Sequence, residues 1–309
     1  MSAGFVFPGQ GSQSVGMGRD LHEGFQEVRE LYDEASEALG YDVAALSFEG
    51  PKDQLDRTEK TQPCVLTASV AAFRALTSRG VSGTVFSGHS VGEYSALVAA
   101  GSLAFADSLR LTELRGRLMQ EAVPEGSGLM AAVLGLDRAK VDGICASVKS
   151  GYVAAANYNC PGQVVVSGEK RAVEEAMALA REAGAKRAIA LSVSVPSHCR
   201  LMEGASRKLS EVLKDLRMEP PRVPVIGNAE AAPAATVEDI KAALVKQLHA
   251  PVRWEDCVLA MVRSGVDTFV EVGPGKVLSG LIKRISPESR VLNVEDRQSL
   301  EKTALELGA

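Results

Sequence analysis

No run of apolar residues in this sequence approaches the length of a membrane span, and residues 1–8 lack the charged segment and long apolar core of an export signal. The chain is therefore expected to be neither membrane-embedded nor exported, and a cytoplasmic location follows. Paired cysteines are missing too. The five present, Cys64, Cys145, Cys160, Cys199 and Cys257, are odd in number, scattered, and show neither a C-x-x-C pair nor a metal-ligand spacing. They suit a reducing compartment, where they pack as small apolar residues, and no metal site is expected. Nor does one sign of charge dominate: 34 Lys and Arg stand against 39 Asp and Glu, interspersed, for a net charge of −5. That balance argues against a nucleic-acid or polybasic membrane surface, so an anionic partner must be met by a local basic patch. Internal repeats and low-complexity tracts are absent. What is there is 46% hydrophobic residues over 309 positions, enough to fill the core of one large domain or two ordinary ones.

Apolar periodicity organises the chain in three stretches. The first predicts a strand at 5–7, ending in the loop Pro8-Gly9-Gln10-Gly11-Ser12-Gln13, helices at 25–39 and 62–78, a strand at 84–86, and helices at 94–100 and 107–122. Strands alternating with helices imply a parallel sheet covered on both faces, with ligands beyond the carboxyl ends of its strands. From Gly126 the rhythm changes: strand 129–134, helix 137–149, strands 153–158 and 164–167 across Asn159-Cys160-Pro161-Gly162, helix 169–183, strand 187–192. That order, βαββαβ, is the ferredoxin-like split unit, and it reads as an insertion. After Pro196 the first pattern resumes, with a helix at 198–216, a strand at 223–226, helices at 240–248 and 254–262, a strand at 268–272 and a helix at 277–284. The Ala-rich stretch 229–235 is expected to be an exposed connection.

Gly88-His89-Ser90-Val91-Gly92 is a G-x-S-x-G sequence at a strand-to-helix turn. Glycines permit a turn too sharp for a Cβ, and such a turn pushes the serine oxygen out above the sheet. Two readings stand: a structural turn or a nucleophile elbow. A serine nucleophile needs a base, and the chain has four histidines, His22, His89, His198 and His249. His89 adjoins the serine, and its ring should diverge from it. His22 lies in a polar stretch and reads as surface. His198 falls in one stripe with Leu201, Met202, Ala205 and Leu209, so it is either a hydrogen-bonded core histidine or the base.

Arg115 lies inside the apolar stripe formed by Leu111, Leu114, Leu118, Met119 and Ala122, while Arg110 and Arg117 point the other way. An uncompensated buried charge costs several kcal/mol, and no acid shares that face. Arg115 must meet either a distant Asp or Glu or the carboxylate of a substrate, which a guanidinium binds bidentately. Other motifs fail. Gly9-Gln10-Gly11 has no glycine three residues later, as a dinucleotide fingerprint requires, and Gly273-Pro274-Gly275-Lys276 lacks the spacing and the Ser or Thr of a phosphate loop. A thiol nucleophile at Cys199 is discounted because sequence neighbours seldom face each other.

Taken together, Phe7-Pro8-Gly9-Gln10-Gly11-Ser12-Gln13, Gly88-His89-Ser90-Val91-Gly92-Glu93-Tyr94, Arg115-Gly116 with Met119-Gln120, Asn159 with Pro161-Gly162-Gln163, Val195-Pro196-Ser197-His198, Gln247-Leu248 with Pro251-Val252, and Glu271-Val272-Gly273-Pro274-Gly275 span nearly the whole chain. In these residues and their order the sequence resembles the malonyl-CoA:acyl carrier protein transacylases. The stand-alone bacterial type is the nearest likeness, and polyketide synthase acyltransferase domains are cousins.

The resemblance implies ping-pong transfer of malonyl from malonyl-CoA to acyl carrier protein, supplying fatty acid or polyketide synthesis. Ser90 would be the nucleophile, His198 its base, Gln10 and Val91 the oxyanion donors, and Arg115 the clamp on the malonyl carboxylate. Gln247 would orient His198, replacing the acid of the usual triad, and Asn159 would lie near the cleft. No cofactor is implied, since malonyl-CoA is a substrate. Residues 1–124 and 196–309 would form a large hydrolase-like α/β catalytic subdomain, with 125–195 as a small ferredoxin-like subdomain roofing the cleft. A monomer is expected. Lys186, Arg187, Lys276, Lys283 and Arg284 are candidates for an acidic carrier protein to dock on. A serine thioesterase or esterase would carry the same elbow, and a non-catalytic carrier-binding subunit could keep the same fold. Tolerance of α-substituted malonyl groups would turn on packing around Ser197.

Overall fold

The computed structural model describes residues 2–191 and 195–309. Its first stretch runs β1 (Ala3–Phe7), α1 (Arg19–Gly24), α2 (Gln26–Leu39), α3 (Val43–Glu49), α4 (Lys52–Leu55), α5 (Thr58–Ser78), β2 (Val85–Gly88), α6 (Gly92–Ala99) and α7 (Phe105–Glu121). A second holds β3 (Gly128–Leu134), α8 (Arg138–Ser147), β4 (Val153–Cys160), β5 (Gln163–Glu169), α9 (Lys170–Glu182) and β6 (Arg187–Ala190). The last begins with a 3-10 turn at Arg200–Met202. It continues through α10 (Glu203–Asp215), β7 (Val225–Ile226), α11 (Val237–His249), α12 (Trp254–Arg263), β8 (Thr268–Val272), α13 (Val277–Ile285), β9 (Arg290–Val294) and α14 (Arg297–Leu307).

Strands with no polar alternation need cover on both faces, and β1 and β8 are buried at every position. They lie at the centre of a five-stranded parallel sheet in the order β7-β2-β1-β8-β9. Helix α5 is the core helix, dense in Ala, Val, Thr and Ser and buried along nearly its whole length. Amphipathic α2 lays Val28, Leu31, Tyr32 and Ala35 on the interior, a one-stripe helix at the surface.

Residues 128–190 supply every strand of the second sheet, antiparallel in the order β4-β5-β3-β6. On one face Ala131, Val133, Val164 and Val166 pack against Val141 of α8 and Ala172, Val173 and Ala176 of α9. On the other, Met130, Ala156 and Val165 form a smaller cluster. Val252 joins the sheets through backbone bonds from its N–H to Ala156 O, 2.8 Å, and to its carbonyl from Tyr158 N, 2.9 Å. The class is thus mixed α/β, a parallel sheet with a separate small antiparallel one, as the two rhythms predict.

Several boundaries differ. The strand expected over 187–192 ends at Ala190, and Ser192 lies outside the described residues. The helix expected from 198 starts only at Glu203 after the 3-10 turn, and His198 precedes both with φ +59°. The apolar stripe of α10, extrapolated one turn backward, overran a chain reversal. The strand expected over 223–226 is the pair Val225–Ile226 at the sheet edge. Sequence periodicity also missed β9 and α14, which close the sheet, and the short helices α1, α3 and α4, each shorter than two turns and so too brief for a stripe to repeat.

Candidate active site

Because β1 and β2 are parallel neighbours, their carboxyl ends deliver the Gln10 loop and the Ser90 turn to the same edge. The turn is tight enough to demand glycine on either side of the serine. A Cβ on Gly88 would lie 2.0 Å from the Gly92 carbonyl, and one on Gly92 would lie 2.1 Å from the Phe7 oxygen. Between them Ser90 is forced to φ +54°, the strained left-handed backbone of a nucleophile elbow. Asn228, just after β7, holds that strain. Its Oδ1 accepts from Ser90 N at 2.7 Å and its Nδ2 donates to Gly88 O at 2.7 Å.

His198 stands opposite, with Nε2 2.8 Å from Ser90 Oγ and Nδ1 2.7 Å from the backbone oxygen of Gln247. A carbonyl only accepts, so Nδ1 carries the proton and Nε2 presents its lone pair to the serine hydroxyl. Burial, helped by the Arg115 charge, pushes the His198 pKa down to about 3, so the ring is neutral and ready to take a proton. The orienter expected at Gln247 is thus its main chain. The Gln247 side chain does something else: Nε2 donates to Ser90 O at 3.0 Å and Glu93 Oε2 at 2.7 Å, and Oε1 accepts from Arg115.

Arg115 is 1% exposed. Its Nη1 donates to Gln62 Oε1 at 2.7 Å, and its Nη2 to Gln247 Oε1 at 2.9 Å and Ser90 Oγ at 3.2 Å. These partners are neutral, and Nε has none among the described residues. A structural ion pair, one of the two readings from sequence, is not what the structure contains. The nearest acid, Glu93, is reached only through Gln247. Burial raises the Glu93 pKa to about 7 despite the bonds from Asn228 N, 2.9 Å, and Gln247. A permanently charged guanidinium beside the serine with only neutral oxygens around it favours an anion there.

The Gln10 and Val91 N–H groups donate to no acceptor among the described hydrogen bonds, as an oxyanion pair must not before substrate arrives. Asn159 comes to the elbow, but not to the serine. Its Oδ1 meets His89 Nε2 at 3.0 Å, and the His89 ring, turned from Ser90, lies against Trp254. His22, expected at the surface, is half-buried against Tyr32 and Phe48. Cys199 is buried with its thiol on Pro196 O, and burial pushes its pKa up. Gly273–Lys276 is the turn between β8 and α13. Sequence reasoning missed Gln62, Glu93 and Asn228. The only signal was Glu93 directly after the elbow; Gln62 and Asn228 reach the site by folding alone.

Residues 4–300 match the family described as acyl transferase domain. A malonyl CoA-acyl carrier protein transacylase of Escherichia coli (strain K12) is 51% identical over 283 residues, 91% of this chain and 92% of that one. Among solved structures, an acyl carrier protein S-malonyltransferase of Vibrio cholerae superposes with TM-score 0.96 at 47% identity, covering 98% of this chain and all of that one. A type II polyketide acyl carrier protein complexed with its malonyl-transacylase gives 0.97 at 47% identity, with 99% of each chain covered. Its fold, its elbow and this extent of match together make the chain a member of the acyl transferase domain family.

Proposed function

We propose that this protein moves a malonyl group from malonyl-CoA to the phosphopantetheine thiol of an acyl carrier protein through an ester on Ser90. The observation that carries this reading is Arg115, a buried cation with neutral partners 3.2 Å from the serine oxygen. An acyl group bearing a free carboxylate supplies the missing anion. His198 Nε2 takes the Ser90 proton as Oγ attacks the thioester carbonyl, and the N–H groups of Gln10 and Val91 hold the oxyanion. Collapse expels CoA, whose sulfur takes the proton from His198. The carrier thiol then gives a proton to His198, attacks the ester, and Ser90 leaves with that proton. A histidine oriented by a neutral carbonyl is a weaker base than one backed by a carboxylate, which a reactive thioester tolerates. Each step uses groups of the chain and its substrates, with no cofactor.

Further expectations go with this reading. Residues 1–124 and 196–309 act as the catalytic subdomain, with 125–195 roofing the cleft. The exposed Lys186, Arg187, Lys276, Lys283 and Arg284 offer an acidic carrier protein its docking charge. Among the described residues no helix is long and apolar enough to cross a membrane, and the reading places the protein in the cytoplasm as a monomer. The deciding experiment is intact-protein mass after brief exposure to malonyl-CoA, with acetyl-CoA in parallel. A malonyl adduct is expected on the parent, none on Ser90→Ala, and discharge on adding carrier protein. An adduct lost equally fast to water would make the protein a hydrolase, and no adduct would leave a non-catalytic carrier-binding subunit.

A further inference from the structure

Behind the elbow, on the side of edge strand β7, lies a cavity of about 690 Å³ walled by Leu97, Pro224, Val225, Ile240 and Ala243. It falls within the volume range of small-molecule sites, roughly 300–1,000 Å³. Its one buried charged group is Glu93, 3% exposed. The two carboxylate oxygens of Glu93 are not equivalent. Oε2 accepts from Asn228 N and Gln247 Nε2, whereas Oε1 receives no donor among the described residues and lies on the Gly227 side, where Gly227 also lines the cavity. Asp239, Glu230 and Lys246 also line it, and the last two are paired with each other.

We propose that this cavity is a second ligand site, separate from the Ser90 cleft, for a compact apolar amine whose ammonium bonds Glu93 Oε1 while its hydrocarbon fills the space between α6, β7 and α11. When ionised, Glu93 presents in Oε1 the one buried carboxylate oxygen of this largely apolar chamber that no protein donor meets, and it selects a donor and repels a carboxylate. Its cation would sit on the same carboxylate that braces Gln247 and Asn228, and so would press directly on the groups holding the Ser90 turn. The titratable and charged groups facing Glu93 are Arg115 from α7 across Gln247, Cys257 from α12, Tyr94 beside it on α6, Lys246 and Asp239 from α11, and Glu230 from the segment after β7. Burial pushes the Glu93 pKa up to about 7, whereas an alkylammonium stays charged to about pH 10. Raising the pH from 6 to 8 therefore ionises the carboxylate under a constant ligand charge and tightens binding, by roughly 10-fold.

The test is a 19F NMR titration with 4-fluorobenzylamine, using 4-fluorobenzoate as the anionic control, on the full chain. Saturable binding of the amine is expected, tighter at pH 8 than at pH 6, with the benzoate silent. Ala243→Trp fills the chamber from an outer wall and should abolish binding while leaving circular dichroism and Ser90 acylation unchanged. Glu93→Gln keeps an oxygen for Asn228 and Gln247 but turns a donor into the cavity, and should weaken the amine at least about 10-fold. Absence of saturable binding, equal binding of benzoate at pH 8, no pH dependence, or amine binding undiminished in Ala243→Trp would each overturn the proposal. The parent's pH series keeps the test decisive should either variant fold poorly. Binding is read without the transfer reaction, so its failure leaves the proposed function standing.

Discussion

Arg115 binds three neutral oxygens and no carboxylate among the described residues, although burial makes an unpaired charge costly. Gln62 and Gln247 hold the guanidinium in place, and in the function proposed here a substrate carboxylate completes it. Arg115→Ala should therefore lower kcat/KM for malonyl-CoA relative to acetyl-CoA by the value of one charge-assisted pair, about 1.5 to 3 kcal/mol or roughly 10- to 150-fold. Competition assays with the two thioesters measure that ratio, and an unchanged preference would remove Arg115 from the carboxylate site. His198 gives a second expectation. Its folded pKa, about 3, lies below the usual 6.5, so the neutral base persists well below neutrality. The kcat/KM profile should show no acid limb centred near 6.5 and stay flat down to about pH 5. The proton that Glu93 takes up near pH 7 can lodge on Oε1 and leave both bonds to Oε2 in place. The same depression makes His198 stabilise the fold fully above pH 6.5, with that stability lost as the pH falls toward 3.

At the scale of the element, the elbow is a strand, a reversal and a helix fitted with no room to spare. Gly92→Ala drives a methyl into the Phe7 backbone oxygen, contact 2.1 Å, which no side-chain rotation relieves. The backbone must move, so the variant should lose at least about 1 to 3 kcal/mol of stability and fail to form the Ser90 adduct. Thermal melts and intact mass read the two effects; a normally stable, normally acylated variant would show that the turn yields. This element was legible because the sequence carries both its glycines and the apolar strand before them, and the βαββαβ order was legible from the change of period at Gly126. His198 was legible as a residue and misplaced as structure, since a stripe of apolar spacing cannot report a backbone at φ +59°. The roles of Gln62 and Asn228 were not legible at all, and Glu93 was marked only by its place directly after the elbow. Their contacts join α5, the end of β7 and α6 to one serine, and only tertiary packing brings those elements together. The alanine-rich stretch after β7 is exposed over much of its length, as composition predicts, yet it also lines the second cavity.

For the whole molecule, the decisive question is whether the two sheets behave as one body, since Asn159 of the small sheet bonds His89 next to Ser90. Three contacts join them near α12: the Val252 backbone bonds to β4, the Arg138 ion pairs with Glu255 and Asp256, and the His89–Asn159 bond. Trp254, the only tryptophan, is fully buried at this seam with its ring against His89. Its fluorescence is therefore a reporter of the junction, whereas far-UV circular dichroism follows both sheets and all the helices. If the seam unfolds with the rest, the two signals should share one urea midpoint. Asn159→Ala leaves the half-buried His89 Nε2 without its partner and should cost about 0.5 to 1.5 kcal/mol, moving both curves together to lower urea. Loss of the tryptophan signal ahead of the dichroism would mean that the small sheet parts from the large one first. The junction would then be a hinged joint, and a carrier protein that binds across it should restore coincidence of the two curves by stabilising the joined form.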